Sequence, residues 1–505
     1  MKTAAKPADL ASMPRADSAR PAPRRTAPKL WRATRRALRV LAGSVLALSA
    51  MHAFAADGDE ARLLDQGRAL ATAADCMACH TVVDGGKPYA GGYAIQSPLG
   101  AIYATNITPS KKGGIGDYTE QDFARALREG IRKDGAHLYP AMPYTSYTLL
   151  SDGDVKALYT YFMKGVAPVD TPSEPTNLPF PFSVRTSMAA WNLLFLDNKR
   201  FVPDPSKSEQ INQGAYLANA LAHCSTCHTP RNDLMAEKPS MLLSGSAVGP
   251  WFAPNITSDA VSGIGAWSNA ELVQYLRTGR VAGKAQAGGP MAEAIEHSLQ
   301  HLPQADLEAI AAYLKSTPPI RATKVAADAP TAFQHGKPAT GEAALRGMDK
   351  PNAHDTLFNG ERLYNGYCAS CHQTTGAGSR DQSYPSLFHN TATGGETSSN
   401  LIAAILYGVD RKVGDQHVLM PRFDQLSYVD PLTNEQIASI STYVLNQFGN
   451  SKLTVTPADV QTVRNGGDVP LLVKAQPWFI PAGVVGLLLV LAVIALIVRR
   501  RRRVK

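Results

Sequence analysis

The chain spends all six of its cysteines on one pattern, C-x-x-C-H, which occurs at Cys76-Met77-Ala78-Cys79-His80, Cys224-Ser225-Thr226-Cys227-His228 and Cys368-Ala369-Ser370-Cys371-His372. Two thiols at this spacing can form thioether bonds to the two vinyl groups of one haem, and the histidine that follows is then held against the iron as a proximal ligand. Competing chemistries explain less. Zinc knuckles pair in twos, so three leave one unpaired, and zinc gives no reason for a histidine after each second cysteine. A thioredoxin-like redox pair would sit once in a βαβ unit rather than recur, and structural disulfides rarely repeat at one short spacing. The pattern therefore specifies three covalently attached haems c.

The opposite face of each iron needs a second ligand, and a constant spacing supplies a candidate. Three segments end in glycine, at Gly130, Gly279 and Gly408, and each is followed twelve residues later by a methionine: Met142, Met291 and Met420. Each methionine adjoins a proline, Pro143, Pro290 or Pro421, which fixes the local backbone. A lone methionine is ordinarily core filling; three at one offset in repeated segments are not. His/Met coordination raises the reduction potential, as an electron carrier requires. The rival ligands His137, His297 and His417 lie within six residues of the methionines, but their offsets differ in sign and size. They read as surface or supporting histidines.

Positioning these ligands takes a recurring set of helices. An amphipathic lead-in precedes each haem motif: residues 57–74, a stretch from Ile211, and another from Phe358. Each carries a glycine (Gly67, Gly214, Gly360) eight to ten residues before the first cysteine, which lets a helix pass close to a neighbour. Middle helices are expected over 121–130, 270–279 and 400–408, with the final glycine as C-cap. Closing helices are expected over 154–163, 306–314 and 435–448. Units one and two also share Asn106-Ile107-Thr108 and Asn255-Ile256-Thr257, each followed by a Gly-Ile-Gly, at Gly114 and Gly263. These triplets match a glycosylation acceptor pattern, but their equivalent repeat positions point to a structural turn beside the haem.

The termini differ from the body. Net charge is +9, yet residues 1–55 and the tail Arg499–Lys505 hold 17 of the 51 basic residues, leaving 34 basic against 40 acidic between them. Nucleic-acid binding loses its support. Residues 1–55 read as a secretory signal, with arginines up to Arg39, an apolar run Val40–Ala50, and an Ala53-Phe54-Ala55 cleavage site. Trp478–Val498 is 21 uncharged residues, enough to cross a ~30 Å hydrocarbon core, and the five arginines after it fit the positive-inside rule. The expected placement is a single C-terminal span in the inner membrane, haem domains in the periplasm and a cytoplasmic tail.

The resulting division is a signal peptide at 1–55, cytochrome c domains at 56–171, 206–316 and 345–450, a packed connector at 172–205, linkers at 317–344 and 451–477, a transmembrane helix at 478–498 and a basic tail at 499–505. The fold class is all-α: three tandem cytochrome c domains plus one C-terminal transmembrane helix. Because the third domain adjoins the anchor, its haem is expected nearest the membrane.

The three haem motifs, Tyr139-Pro140-Ala141-Met142-Pro143-Tyr144, the repeated turns, Trp191-Asn192-Leu193-Leu194-Phe195 and the single anchor together resemble the three-haem cytochrome c subunits of bacterial membrane-bound dehydrogenases acting on alcohols, gluconate, sorbitol, fructose or aldehydes. The resemblance covers essentially the whole mature chain. It implies a separate periplasmic catalytic subunit dependent on a quinone, flavin or molybdopterin cofactor, with or without a small third subunit, and electron delivery to ubiquinone or a terminal oxidase. The chain itself would then have no catalytic residues. Two other readings stay open at this point: a tethered cytochrome donating to a haem-copper oxidase, and a haem enzyme of peroxidase type, which would need an open iron position.

Overall fold

The computed structural model describes residues 58–82, 85–340 and 358–503. The expected signal peptide and its cleavage site lie outside them. Everything below concerns the unit that begins at Arg62.

Each haem motif forms a short helix, Cys76–His80, Cys224–His228 or Ala369–His372. Each follows a lead-in helix: residues 62–73, then Glu209–Tyr216 continued by a wide turn at Leu217–Leu221, then Gly360–Tyr367. The closing helices are Asp152–Thr160, Gln304–Ser316 and Asn434–Phe448. The glycines of the lead-in helices are where the pairs cross. A Cβ on Gly67, Gly214 or Gly360 would stand 2.1, 1.9 or 2.2 Å from the backbone oxygen of Ala157, Ala309 or Ser439 in the closing helix.

The middle helices span Glu120–Glu129, Asn269–Thr278 and Ser399–Tyr407. Thr119 with Asp122 and Ser268 with Glu271 form capping boxes at the first two, satisfying N-terminal amides that would otherwise lack partners. Gly130 and Gly279 end these helices in the left-handed conformation, at φ 64° and 71°.

The protein is mostly helical, but the all-α expectation omits the four antiparallel two-stranded ribbons found among the described residues: Ala94–Ser97 with Gly100–Tyr103, Ser246–Val248 with Trp251–Ala253, Arg280–Val281 with Ala285–Gln286, and Val409–Val413 with Gln416–Met420. The last is closed by Gly414-Asp415, with Gly414 at φ 53°, a two-residue turn of the kind that matches strand twist. Short alternation inside loops is easily overlooked when the helical period dominates.

The first two repeats share one hydrophobic cluster, including Leu158, Leu221, Ile295 and Leu307, whereas the third has its own around Leu363, Ile402 and Phe448. Arg411 fastens the third repeat to the second. It is buried and donates to the Ala287 carbonyl and to Gln286 Oε1 beside the C-terminal cap Gly279, where the negative end of helix Asn269–Thr278 favours a cation.

The connecting segments are more engaged than free linkers. Phe333 meets the Trp267 ring edge-on, Lys284 stands over Phe333, and Ala339 is buried. Helix Pro457–Arg464 buries Val460 and Val463 against the third repeat. The chain then forms the helix Phe479–Arg503, which overlaps a candidate membrane span of Leu471–Arg500.

Candidate functional site

The histidines of the three motifs share one arrangement. His80 Nδ1 lies 2.6 Å from the Thr105 carbonyl oxygen, His228 Nδ1 2.7 Å from that of Pro254, and His372 Nδ1 2.9 Å from that of Pro385. A carbonyl can only accept, so Nδ1 carries the proton and Nε2 keeps its lone pair for a metal. Burial lowers the pKa of all three imidazoles, with the carbonyl contact acting in the opposite sense. Each ring is thereby held toward the neutral form that can ligate.

Two of the three carbonyls belong to the Asn-Ile-Thr turns. Asn106 Oδ1 accepts from the Thr108 amide and hydroxyl, while its Nδ2 donates to the carbonyls of Val169 and Thr171. Asn255 repeats this with Thr257 and the Ile320 carbonyl. Both asparagines are buried, so the triplets are structural turns, as their repeat positions suggested.

The methionines share cavities with the histidines. One cavity of about 2050 Å³ is lined by Cys76, Cys79, His80 and Met142. Another, of about 840 Å³, is lined by Cys224, Cys227, His228 and Met291 and also by Cys368, Cys371, His372 and Met420, so the second and third sites are continuous. The backbone around each methionine differs despite the constant offset. Met142 lies in a turn, Met291 in the first turn of helix Gly289–His297 behind Pro290, and Met420 at the end of a ribbon strand. His137, His297 and His417 line neither cavity, and His417 Nε2 pairs with Asp410.

Burial pushes the thiols of Cys76, Cys224 and Cys368 up to about 12, the reverse of the depressed value a redox-active dithiol needs. Thiols at the wall, a histidine with Nε2 free and a methionine in one largely apolar cavity fit a covalently bound haem.

Three residues were not singled out by the sequence. Tyr147 donates to the Ala74 carbonyl (2.8 Å) and meets His223 edge-on, joining the approaches to the first two motifs. Asp75 lines both cavities; its Oδ1 has no hydrogen-bond partner, and burial, with Glu293 adding to it, raises its pKa well above the carboxylate range. Trp251 also lines both cavities and packs on Gly289, where a Cβ would stand 2.3 Å from the ring. Left-handed backbone at Asp75 and His223, immediately before the first cysteines, falls on residue types that tolerate it better than most, a signal the sequence offered.

The family comparison agrees with this geometry. The cytochrome c model matches residues 64–165, 211–318 and 358–448. The chain is 50% identical over 448 residues to the fructose dehydrogenase cytochrome subunit of Gluconobacter japonicus, covering 87% of this chain and 91% of the relative. It is 38% identical over 444 residues to the gluconate 2-dehydrogenase cytochrome c subunit of Pantoea cypripedii (83% and 93%). It is 37% identical over 443 residues to the cytochrome c subunit of the quinone alcohol dehydrogenase of Komagataeibacter europaeus (85% and 89%). With the family model matching three segments and likeness along most of its length, the chain belongs to the cytochrome c family, among the cytochrome c subunits of membrane-bound dehydrogenases.

Proposed function

We propose that this chain is a membrane-anchored relay of three haems c that takes electrons from the catalytic subunit of a dehydrogenase and passes them to ubiquinone or a terminal oxidase. Cys76 and Cys79, Cys224 and Cys227, and Cys368 and Cys371 hold the haems; His80 with Met142, His228 with Met291, and His372 with Met420 are the axial pairs. The domains fall at 56–171, 206–316 and 345–450, with 478–498 spanning the inner membrane, the haem domains periplasmic and the basic tail cytoplasmic.

The observation that carries this reading is the threefold contact between a motif histidine and a backbone carbonyl, with a methionine in the same cavity each time. Bound haem supplies one-electron exchange between ferrous and ferric iron. The protein's part is to fix each imidazole by its Nδ1–H, to offer a thioether that raises the potential, and to keep water from the iron with apolar walls. The relatives' substrates, fructose, gluconate and alcohols, support a partner that oxidises a CH–OH donor.

Iron and pyridine haemochrome analysis of the purified chain should give three haems per polypeptide, and affinity purification from native membranes should bring down a dehydrogenase subunit. One or two haems, or a chain that purifies alone and exchanges electrons with no dehydrogenase, would refute the proposal.

A further inference from the structure

The connector between the first two domains has one face fixed and one face bare. Helix Ser187–Phe195 is fixed by Trp191 Nε1, which donates to the Leu234 carbonyl (2.9 Å), and by Asn192, which accepts from Tyr144 Oη (2.8 Å) and donates to the Glu129 carbonyl (2.9 Å). With that face held, the helix cannot roll. Leu193 is left 86% exposed and Leu194 67%, and the turn before the helix exposes Phe180 and Val184. Residues 186–195 contain no charged side chain.

This bare surface adjoins the anchor. Gln476 Nε2 donates to the Phe180 carbonyl (2.8 Å), and the Phe182 ring meets Phe479, the first residue of the C-terminal helix, edge-on at 6.3 Å. Exposed apolar side chains of the connector therefore begin beside the start of the candidate span.

We infer that residues 180–195 form a second, peripheral contact with the lipid bilayer, resting on the boundary between headgroups and acyl chains beside the spanning helix. The inference rests on the reading of 478–498 as a membrane span. Lipid fits better than a protein partner because a protein interface places aromatic and arginine side chains and hydrogen-bonding groups at its centre, whereas Ala189, Ala190, Leu193 and Leu194 offer none. The contact also brings a second domain to the membrane. Tyr139, in the Met142 turn, donates through its hydroxyl to the Phe182 carbonyl (2.7 Å), and Arg185 donates to the His137 carbonyl. The first haem domain is thereby tied to the anchor alongside the third, on which helix Pro457–Arg464 packs.

The test is photolabelling of the full-length, haem-loaded complex in phosphatidylcholine nanodiscs carrying a phospholipid with an acyl-chain diazirine, read by peptide mass spectrometry. Label is expected on peptides covering 180–195 as well as on the span. In a Leu193→Asp/Leu194→Asp variant, checked by unchanged haem absorption, the connector label should fall at least fivefold with span label and co-purifying catalytic subunit unchanged. Label confined to the span would overturn the inference and leave the anchor standing; label on neither would remove the anchor reading and this inference with it. Loss of the catalytic subunit from the variant would overturn it too, by assigning the face to that subunit.

Discussion

Gly214 and Ala309 touch backbone to backbone: the position a Cβ would take on the glycine lies 1.9 Å from the alanine carbonyl oxygen. The same crossing occurs at Gly67 with Ala157 and at Gly360 with Ser439, so each repeat joins its first and last helices at a point that tolerates no side chain. The obstacle is main chain, which cannot rotate away. Gly214→Ala should destabilise the second repeat by about 2–3 kcal/mol through overpacking, visible as a lower urea midpoint followed by haem absorption. An unchanged midpoint would show that the helices can separate without loss.

Replacing the proposed axial methionines should separate the three proposed haems. Met142→Leu, Met291→Leu and Met420→Leu remove the thioether while keeping apolar volume. Each should lower one of three potentials by the order of 0.1 V or more, within the ~0.8 V that axial ligands span, and leave the other two nearly in place. Spectroelectrochemical titration reads this directly. A variant with all three potentials unmoved would mean that its methionine is not a ligand.

Asn106→Ala and Asn255→Ala should be costly although neither residue touches iron. Each removes the amide donor to a backbone carbonyl (Val169 and Thr171 for Asn106, Ile320 for Asn255), roughly 1–3 kcal/mol where a group is left unsatisfied, and loosens the turn whose carbonyl holds His80 or His228. The diagnostic is a shift in the potential of the haem concerned together with a lower melting temperature; a stability loss with no shift would make the turn purely structural.

Acid should weaken the second repeat through Asp259. Burial alone would raise its pKa, but Arg321 donates to Oδ2 from Nε and Nη2 (3.0 and 2.9 Å), and Ser262 and Val261 add hydrogen bonds, so the value falls from 3.8 to about 2. A depressed folded value stabilises above the unfolded value and loses that contribution as pH falls from about 4 to 2. The amount is roughly 2 kcal/mol at 1.36 kcal/mol per unit. Asp259→Asn should flatten this part of the pH–stability curve measured in urea; an unchanged slope between pH 4 and 2 would exclude Asp259 as its source.

Arg411→Met should loosen the third repeat from the second. The carbonyl of Ala287 and the amide oxygen of Gln286 would lose their donor at a buried interface, a cost of about 2–4 kcal/mol for the two. Hydrogen exchange in 280–287 and 409–420 should rise, with exchange in 62–165 unaffected.

What could be read in advance was whatever repeats. The C-x-x-C-H motif, the methionine offset, the glycine crossings and the Asn-Ile-Thr turns each occur at least twice, and spacing turns a weak residue preference into a strong one. The boundaries of the middle helices come within a residue or two because glycine and capping residues mark them in the sequence. What could not be read was single. Arg411 resembles any strand arginine until the ribbon places it on a helix terminus, and Tyr147, Asp75 and Trp251 owe their positions to packing between repeats. The connector was legible as apolar, and its two hydrogen-bonded anchors, Trp191 and Asn192, were not, because their partners lie more than 40 residues away.

The Asn106 turn has a consequence for how the molecule is made. Its amide donates to carbonyls 63 and 65 residues further along, beyond the closing helix, and Asn255 reaches equally far, 65 residues, to Ile320. The carbonyl that fastens each of these histidines therefore gains its support only when the end of its own repeat has arrived. Until then the imidazole and the neighbouring thiols belong to an open chain, accessible to whatever machinery installs the porphyrin. In these two repeats the last stretch of polypeptide acts as a latch that closes the turn behind the histidine.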